Sequence, residues 1–423
     1  MTQPSAPDPH PGMGFREFVT LIAALMAMNA LAIDSMLPAL PAIGEALRIP
    51  TENDRQWVVT AYLLGFGSAQ IFYGTLADRF GRKLVLGTGI AIYVVASVVA
   101  SFSTSLEMMM IARAVQGIGA ASTRVIVVAI VRDCYSGRQM ARVMSLSFIV
   151  FLAVPIIAPT LGQLIMLVAP WRWIFGVLTL FGAGVLAWMV LRLPETLAVE
   201  KRVPISFKGV TQAFGMSLSN RTAMGYNLAM TMIMGGLFGF INSAQQVFAD
   251  VFDASGLFTT IFAMIALFMA ASSFLNSKIV GRFGTHKVSH TALLFYILFS
   301  GVNAALALAG ADTLWTFAIL QSLTMFCFGL VVSNFGAMAM QPLGHVAGTA
   351  SSVQGFISTL GGALLGFYVG QHFNGTIVPL TVGFTLFGIG ALVFVLIAEK
   401  GVLFRGSERA APGATPSPSA RGA

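Results

Sequence analysis

From Thr313 to Ala398 the chain runs 86 residues without an aspartate, glutamate, lysine or arginine. A water-soluble fold has no way to hide so long a stretch, since charged side chains cover its outer faces. In a bilayer the stretch is ordinary, because about 20 apolar residues make one helical crossing of the hydrocarbon. The rest of the chain agrees. Of 423 residues, 57% are hydrophobic and 9% charged, against about 25% charged in soluble domains. Mean hydropathy is +0.83. An ordinary cytosolic enzyme, a disordered chain and a coiled coil are excluded.

Twelve apolar segments are long enough to cross. They lie near Phe18–Leu37, Trp57–Ala77, Leu84–Ser101, Met108–Val131, Val143–Val168, Trp173–Leu191, Thr222–Phe248, Gly256–Ser277, Val288–Ala309, Leu314–Met340, Ala347–Gln371 and Pro379–Leu403. The fold class expected is all-α integral membrane, with twelve transmembrane helices. Residues 1–14 and 405–423, rich in Pro, Gly, Ala and Ser, read as loose tails. No signal peptide precedes the first segment, which is expected to stay as an anchor.

Lysine and arginine concentrate in loops retained in the cytoplasm. With the N-terminus placed there, 19 basic residues fall on the cytoplasmic side and three (Arg48, Arg55 and Arg172) on the other. Both termini are therefore expected inside. That asymmetry explains the net charge of +8 without a nucleic-acid partner. Cys134 and Cys327 sit in dissimilar surroundings, and the five histidines are scattered. Neither a disulfide nor a metal site is expected.

The longest charged connection, Arg192 to Arg221, divides the chain into a bundle over 15–195, a linker over 196–220 and a bundle over 221–404. The halves echo each other. Gly74–Val85 (GTLADRFGRKLV) matches Ser277–Val288 (SKIVGRFGTHKV) at an offset of 203, and Ile33-Asp34-Ser35 matches Ile241-Asn242-Ser243. Internal repeats of this kind belong to secondary transporters, whose site lies between the repeats near the midplane. The expectation is two pseudo-symmetric six-helix bundles.

Three charged residues lie inside apolar segments: Asp34, Arg113 and Arg124. Each costs roughly 2.5–3.5 kcal/mol at a helix centre. The second half has no acidic residue inside a helix, so Asp34 is the candidate for a proton-binding carboxylate. The competing reading is an interfacial aspartate ending the helix before Pro38. Arg113 and Arg124 are about three turns apart on one face. Arg113 is read as a buried cation that tunes a carboxylate or a polar relay, against a snorkelling role at the interface. Arg124 is placed near the cytoplasmic mouth. Asn242 stands where the second repeat lacks the carboxylate, with Gln245 beside it. Tyr62, Gln116, Asn334 and Gln354 join these two as candidate substrate ligands, with interhelical hydrogen bonding as the equal alternative. Thirty-four Phe and 22 Met suit an adaptable apolar cavity.

The loop Gly74-Thr-Leu-Ala-Asp78-Arg79-Phe-Gly81-Arg82-Lys83 resembles the signature loop of the major facilitator superfamily, G-x-L-a-D-R-x-G-R-[RK]. The resemblance implies a cytoplasmic latch for the outward-facing state, with Gly74, Asp78, Arg79, Gly81, Arg82 and Lys83 as gating residues. Arg113-Ala-Val-Gln116-Gly117-Ile-Gly119 resembles the fourth-helix motif whose arginine is linked to proton transfer. The stretch Pro155-Ile-Ile-Ala158-Pro159-Thr-Leu-Gly162-Gln163 is similar to the fifth-helix antiporter motif g-x-x-x-G-P-x-x-G-G, with Ala158 and Gln163 in place of two glycines. It adds Pro155, Pro159 and Gly162 to the gating residues. Leu37-Pro-Ala-Leu-Pro41, Trp171-Arg-Trp173-Ile-Phe175, Leu193-Pro-Glu195-Thr-Leu197 and Gly344–Phe356 narrow the resemblance to the twelve-helix drug:proton antiporters of the bicyclomycin and chloramphenicol resistance group.

That resemblance implies a monomeric exporter of apolar or amphipathic small molecules in the bacterial inner membrane. Its partners are protons, substrate and lipid, and it uses no cofactor. The alternative is a proton-coupled metabolite importer or exporter of the same fold. A membrane enzyme would need a cluster of catalytic side chains at one face, and a nucleotide-driven pump a G-x-x-x-x-G-K-[ST] loop. The sequence contains neither.

Overall fold

The computed structural model describes residues 13–203 and 207–404. The tails expected over 1–14 and 405–423 fall almost wholly outside them. Among the described residues twelve helices have twenty residues or more. They are α1 (Phe15–Asp34), α2 (Trp57–Phe80), α3 (Arg82–Ser101), α4 (Leu106–Cys134), α5 (Gly137–Val168), α6 (Arg172–Arg192), α7 (Arg221–Gln246), α8 (Phe258–Phe283), α9 (Thr285–Leu308), α10 (Leu314–Met340), α11 (Ala347–Gln371) and α12 (Val378–Ala398). Ten spans are marked by length and hydropathy alone. The remaining two helices, α2 and α5, are long enough to cross. Helix is what hydrocarbon demands, since each backbone N–H and C=O must be satisfied within its own segment.

Local chemistry sets the ends. Ser105 caps α4 by accepting from Met108 N at 3.2 Å, and Asn220 caps α7 through Ala223 N at 2.9 Å. Thr313 and Thr316 form a reciprocal capping box on α10. Pro38 and Pro41 open the 3-10 turn Leu37–Ala39 and the short helix Leu40–Ala46 that follow α1. The linker contributes to the packing. It holds a helix over Phe207–Ser219, and Phe214 meets Phe356 of α11 edge-on at 6.0 Å.

The packing repeats with a period of six helices. In the first half α1 packs on α5 and α6, α2 and α3 on α4, and α3 on α6. In the second, α7 packs on α11 and α12, α8 and α9 on α10, and α9 on α12. The halves meet along two seams, α2 against α11 and α5 against α8. These seams exchange under the same six-helix shift. The repeated Arg-Phe-Gly ends in the same backbone turn: Gly81 has φ 99° and Gly284 φ 80°, the left-handed region open to glycine.

Candidate functional site

A cavity of about 310 Å³ lies between the halves. Its walls are mainly apolar, with Phe66, Met234, Phe238 and Phe262 among them. Arg124, Met234 and Thr359 also line a wider space of about 600 Å³. That space lies at the end carrying Asp78, Arg82 and Arg132, so cavity and mouth share a wall. The molecule is open at this basic end.

The other end is shut by side-chain amides. Asn53 Nδ2 donates to the carbonyls of Gln371 and Phe373, both at 3.0 Å. Gln56 Nε2 donates to Gln246 Oε1 at 2.7 Å and to Gly370 O at 2.9 Å. Gln246 Nε2 returns to Asn53 Oδ1 at 2.9 Å, and Gln371 Nε2 to Asn53 O at 2.8 Å. Just inside, the Trp57 and Phe367 rings lie 4.2 Å apart. On the second seam Thr259 Oγ1 donates to Gln163 Oε1 at 2.8 Å. Every one of these contacts joins the two halves.

Asp34 ends α1 in the cavity wall and is 5% exposed. No cation lies within 4 Å of it among the described residues. Arg113 does not pair with it. Its guanidinium is fully buried and donates to Val58 O at 2.9 Å, Ala32 O at 3.1 Å and Gln116 Oε1 at 2.5 Å. Gln116 in turn donates to Ser97 Oγ at 2.7 Å. The Tyr62 ring lies 4.4 Å from the guanidinium carbon, and Tyr62 OH donates to Asn29 Oδ1 at 2.8 Å. Asn29 lines the cavity. A buried cation is thus tied to the carbonyl two residues before Asp34, and through Tyr62 and Asn29 to the cavity wall. Arg124 faces the open space, with no carboxylate within 4 Å among the described residues.

The six candidate substrate ligands separate. Gln354 lines the mouth, where its amide donates to Gly336 O at 3.2 Å. Tyr62 and Gln116 face Arg113 instead of the cavity. Asn242 sits in the α2–α7 contact, accepting from Thr60 Oγ1 at 3.4 Å. Gln245 is half-buried and lines neither space, whereas its neighbour Gln246 belongs to the amide seal. Asn334 donates to Asn276 Oδ1 and Leu330 O, each at 2.8 Å. The sequence reading passed over Asn53 and Gln56, which precede the second apolar segment and look like loop residues.

The gating candidates of the 74–83 loop lie at the basic end. Arg82 Nη1 pairs with Asp78 at 2.6 Å, and its Nε with Asp133 at 3.1 Å. Glu195, from the end of the first half, accepts the backbone N–H groups of Arg82 at 2.8 Å and Lys83 at 3.1 Å. A carboxylate there suits the positive end of α3. Lys83 Nζ donates to Val190 O at 2.8 Å, while Arg79 is exposed. Gly74 faces α11: a Cβ on it would lie 3.1 Å from Ser352 Oγ. Pro155 lines the cavity and Pro159 lies one turn further along α5. Gly162 lets α5 press on the chain after α1, where a Cβ would strike Ser35 O.

The sequence profile of the Major Facilitator Superfamily matches residues 22–366. The chain is similar to the Uncharacterized MFS-type transporter YdgK of Bacillus subtilis, 30% identical over 90% of this chain and 95% of that one. It resembles the Bicyclomycin resistance protein homolog of Haemophilus influenzae at 28%, over 90% and 94%. To the Multidrug resistance protein MdtL of Klebsiella pneumoniae it is 32% identical, over 82% and 86%. Among solved structures it shares its fold with the human organic anion transporter MFSD10 (TM-score 0.66, 19% identity, 93% and 100% covered). The xylose transporter XylE of Escherichia coli, in a partially occluded inward open conformation, has a TM-score of 0.70 at 12% identity, with 91% and 96% covered. The repeated bundles, the Gly81 turn and the matched length lead to one conclusion: this chain is a multi-pass membrane protein belonging to the major facilitator superfamily.

Proposed function

We propose that the chain is a proton-coupled exporter of apolar or amphipathic small molecules that works by alternating access. The observation that carries this reading is the cavity between the halves, with Asp34 in its wall and no cation paired to it among the described residues. The names of the Haemophilus and Klebsiella relatives support drugs as the cargo. The basic end is cytoplasmic in this reading, with both termini inside, and the functional unit is one chain with domains at 15–195 and 221–404.

Substrate enters through the mouth and settles among the Phe and Met side chains. Its arrival displaces the proton from Asp34, and the Asn29–Tyr62–Arg113 chain passes the change in charge to α2 and α4. The amide seal then opens and the Asp78 loop meets the second half, closing the mouth. A proton taken up from the far side resets Asp34. A pH difference of one unit supplies about 1.4 kcal/mol per proton, and the membrane potential about 2.3 kcal/mol per charge per 100 mV. One carboxylate therefore drives a tenfold or larger concentration ratio.

The test is drug accumulation in hypersensitive cells expressing the chain, over a panel that includes chloramphenicol-like and cationic lipophilic compounds. Accumulation falls with the wild type and returns to the empty-vector level with Asp34→Asn or a protonophore. Unchanged accumulation for every compound, with the protein present in the membrane, rejects the reading in favour of metabolite transport.

A further inference from the structure

We propose that a groove on the outer face of the second half is a binding site for one anionic phospholipid. The groove is separate from the central cavity and has a volume of about 490 Å³. Helices α8 and α9 pack on α10 far more than on each other, so they leave a cleft floored by α10. Its walls include Ile279, Phe283, Phe295, Phe299, Phe326 and Cys327. Phe283 and Phe295 are exposed at its edge.

The charge at the groove's mouth identifies the occupant. Lys287 lines the groove and is exposed. Lys278 and Arg282 lie on the last turns of α8, beside the same loop. Their charged groups rest over the rings of Phe274 at 4.3 Å and Phe283 at 5.4 Å. None of the three has a carboxylate within 4 Å among the described residues. From Ala254 to Ala311 the sequence holds no acidic residue. The corresponding loop of the first half is the opposite case, because Arg82 is held by Asp78 and Asp133. Three unneutralised cations beside an apolar trough lack only a phosphate.

The dimensions agree. From Lys287 to Phe299 α9 rises about 18 Å, close to the depth of one leaflet in a hydrocarbon core of about 30 Å. An acyl chain lying in the groove brings its headgroup to Lys287. Basic pockets between membrane helices recognise anionic lipids in this way. The argument holds whichever leaflet faces the basic end.

The experiment uses the full chain purified in mild detergent and incubated with equal phosphatidylglycerol and phosphatidylcholine. Retained lipid is counted by mass spectrometry after gel filtration. Wild type retains phosphatidylglycerol in preference. K278Q/R282Q/K287Q reduces it about tenfold, since each cation near an anionic headgroup adds to its retention and the surface charges are partly screened. Thr291→Trp, an exposed position in the groove wall, loses phosphatidylglycerol with all three cations intact. Glycerol 3-phosphate, the headgroup without chains, leaves the retained lipid in place. Equal retention of the two lipids by wild type, unchanged retention in either variant, or displacement by glycerol 3-phosphate overturns the proposal. Monodisperse elution of each variant separates loss of the site from loss of the fold.

Discussion

The two halves share a backbone plan but differ in what they bury. Eight residues after the cap of α4 stands Arg113; eight after the cap of α10 stands Gln321. Twelve and sixteen residues after the glycine turns stand Tyr93 and Ser97 in α3, and Tyr296 and Ser300 in α9. In the first half this set is cross-tied, with Ser97 accepting from Gln116 and Gln116 from Arg113. In the second, Gln321 Nε2 is buried without a partner among the described residues, so no such chain forms, although Ser97 and Ser300 alike donate to the tyrosine carbonyl one turn back and Tyr93 OH and Tyr296 OH are alike unpaired. The carboxylate follows the same division, Asp34 against Asn242. The first half holds charge and a network that fixes its position. The second offers a neutral wall against which that charge can change.

Removing the charge from the first half gives the largest expected effect. Asp34→Asn abolishes proton-driven export, read as drug accumulation equal to that of the empty vector, while the protein still elutes as a single species. Placing Asn242→Asp in that background does not restore export, because Asn242 is 1% exposed and packed against Thr60. Restored export would show the halves to be interchangeable and would sink the asymmetry.

The buried networks should differ next. Arg113→Ala leaves the carbonyls of Val58 and Ala32 and the Gln116 amide oxygen short of a donor. At about 1–3 kcal/mol for an orphaned buried group, a total of about 3 kcal/mol is expected. Gln321→Ala removes an amide whose nitrogen is already unpaired and costs about 1 kcal/mol. Thermal unfolding in detergent compares them, and equal losses would mean that the cross-ties carry no stability.

Sequence and structure agree where hydrocarbon sets the rules. Leu314–Met340 and Ala347–Gln371 match to the residue, because an apolar crossing has a limited length and polar residues, Thr313, Gln341 and His372, mark where it stops. The six-and-six division was equally legible, since the repeated Arg-Phe-Gly marks the same turn twice. The role of each amide was not. Tyr62, Gln116 and Asn334 occupy helix depths compatible with a cavity, but periodicity reports neither which neighbour a face meets nor which donor finds which acceptor. Asn53 and Gln56 were invisible for another reason: a polar residue just before an apolar run looks like solvated loop. Their partners, Gln246, Gly370 and Gln371, lie some 190 to 320 residues away.

The amide seal and the mouth set the two ends of the cavity against each other. Asn53→Ala with Gln56→Ala removes six side-chain hydrogen bonds between the halves. At about 0.5–1.5 kcal/mol each, with water replacing part of the loss, a shift of about tenfold toward the opposite opening is expected. Labelling of a cysteine placed at Phe367 by a membrane-impermeant maleimide reads it; an unchanged rate would show that the seal contributes nothing. At the mouth, Arg124→Gln should lower the efflux of anionic relative to cationic amphiphiles about threefold, the share expected of one partly screened charge. Equal change for both charge classes would remove Arg124 from substrate selection.

The smallest effect tests the repeat at its best-matched residue. Gly81 and Gly284 both have positive φ, so an alanine at either is strained by about 1 kcal/mol. Their surroundings differ. A Cβ on Gly81 would strike Glu195 Oε2, the carboxylate that caps α3, whereas a Cβ on Gly284 meets nothing within 4 Å. Gly81→Ala must therefore push Glu195 off the N-terminus of α3, adding about 1 kcal/mol for the lost cap. Gly284→Ala carries only the backbone strain. Glu195→Gln separates the contributions: it weakens the cap without straining the turn, and in its background the extra cost of Gly81→Ala over Gly284→Ala should shrink. If the two alanine variants melt together in the wild-type background, the Glu195 carboxylate is not held at the turn. The loop of the first half would then be no more tightly tied than its copy in the second.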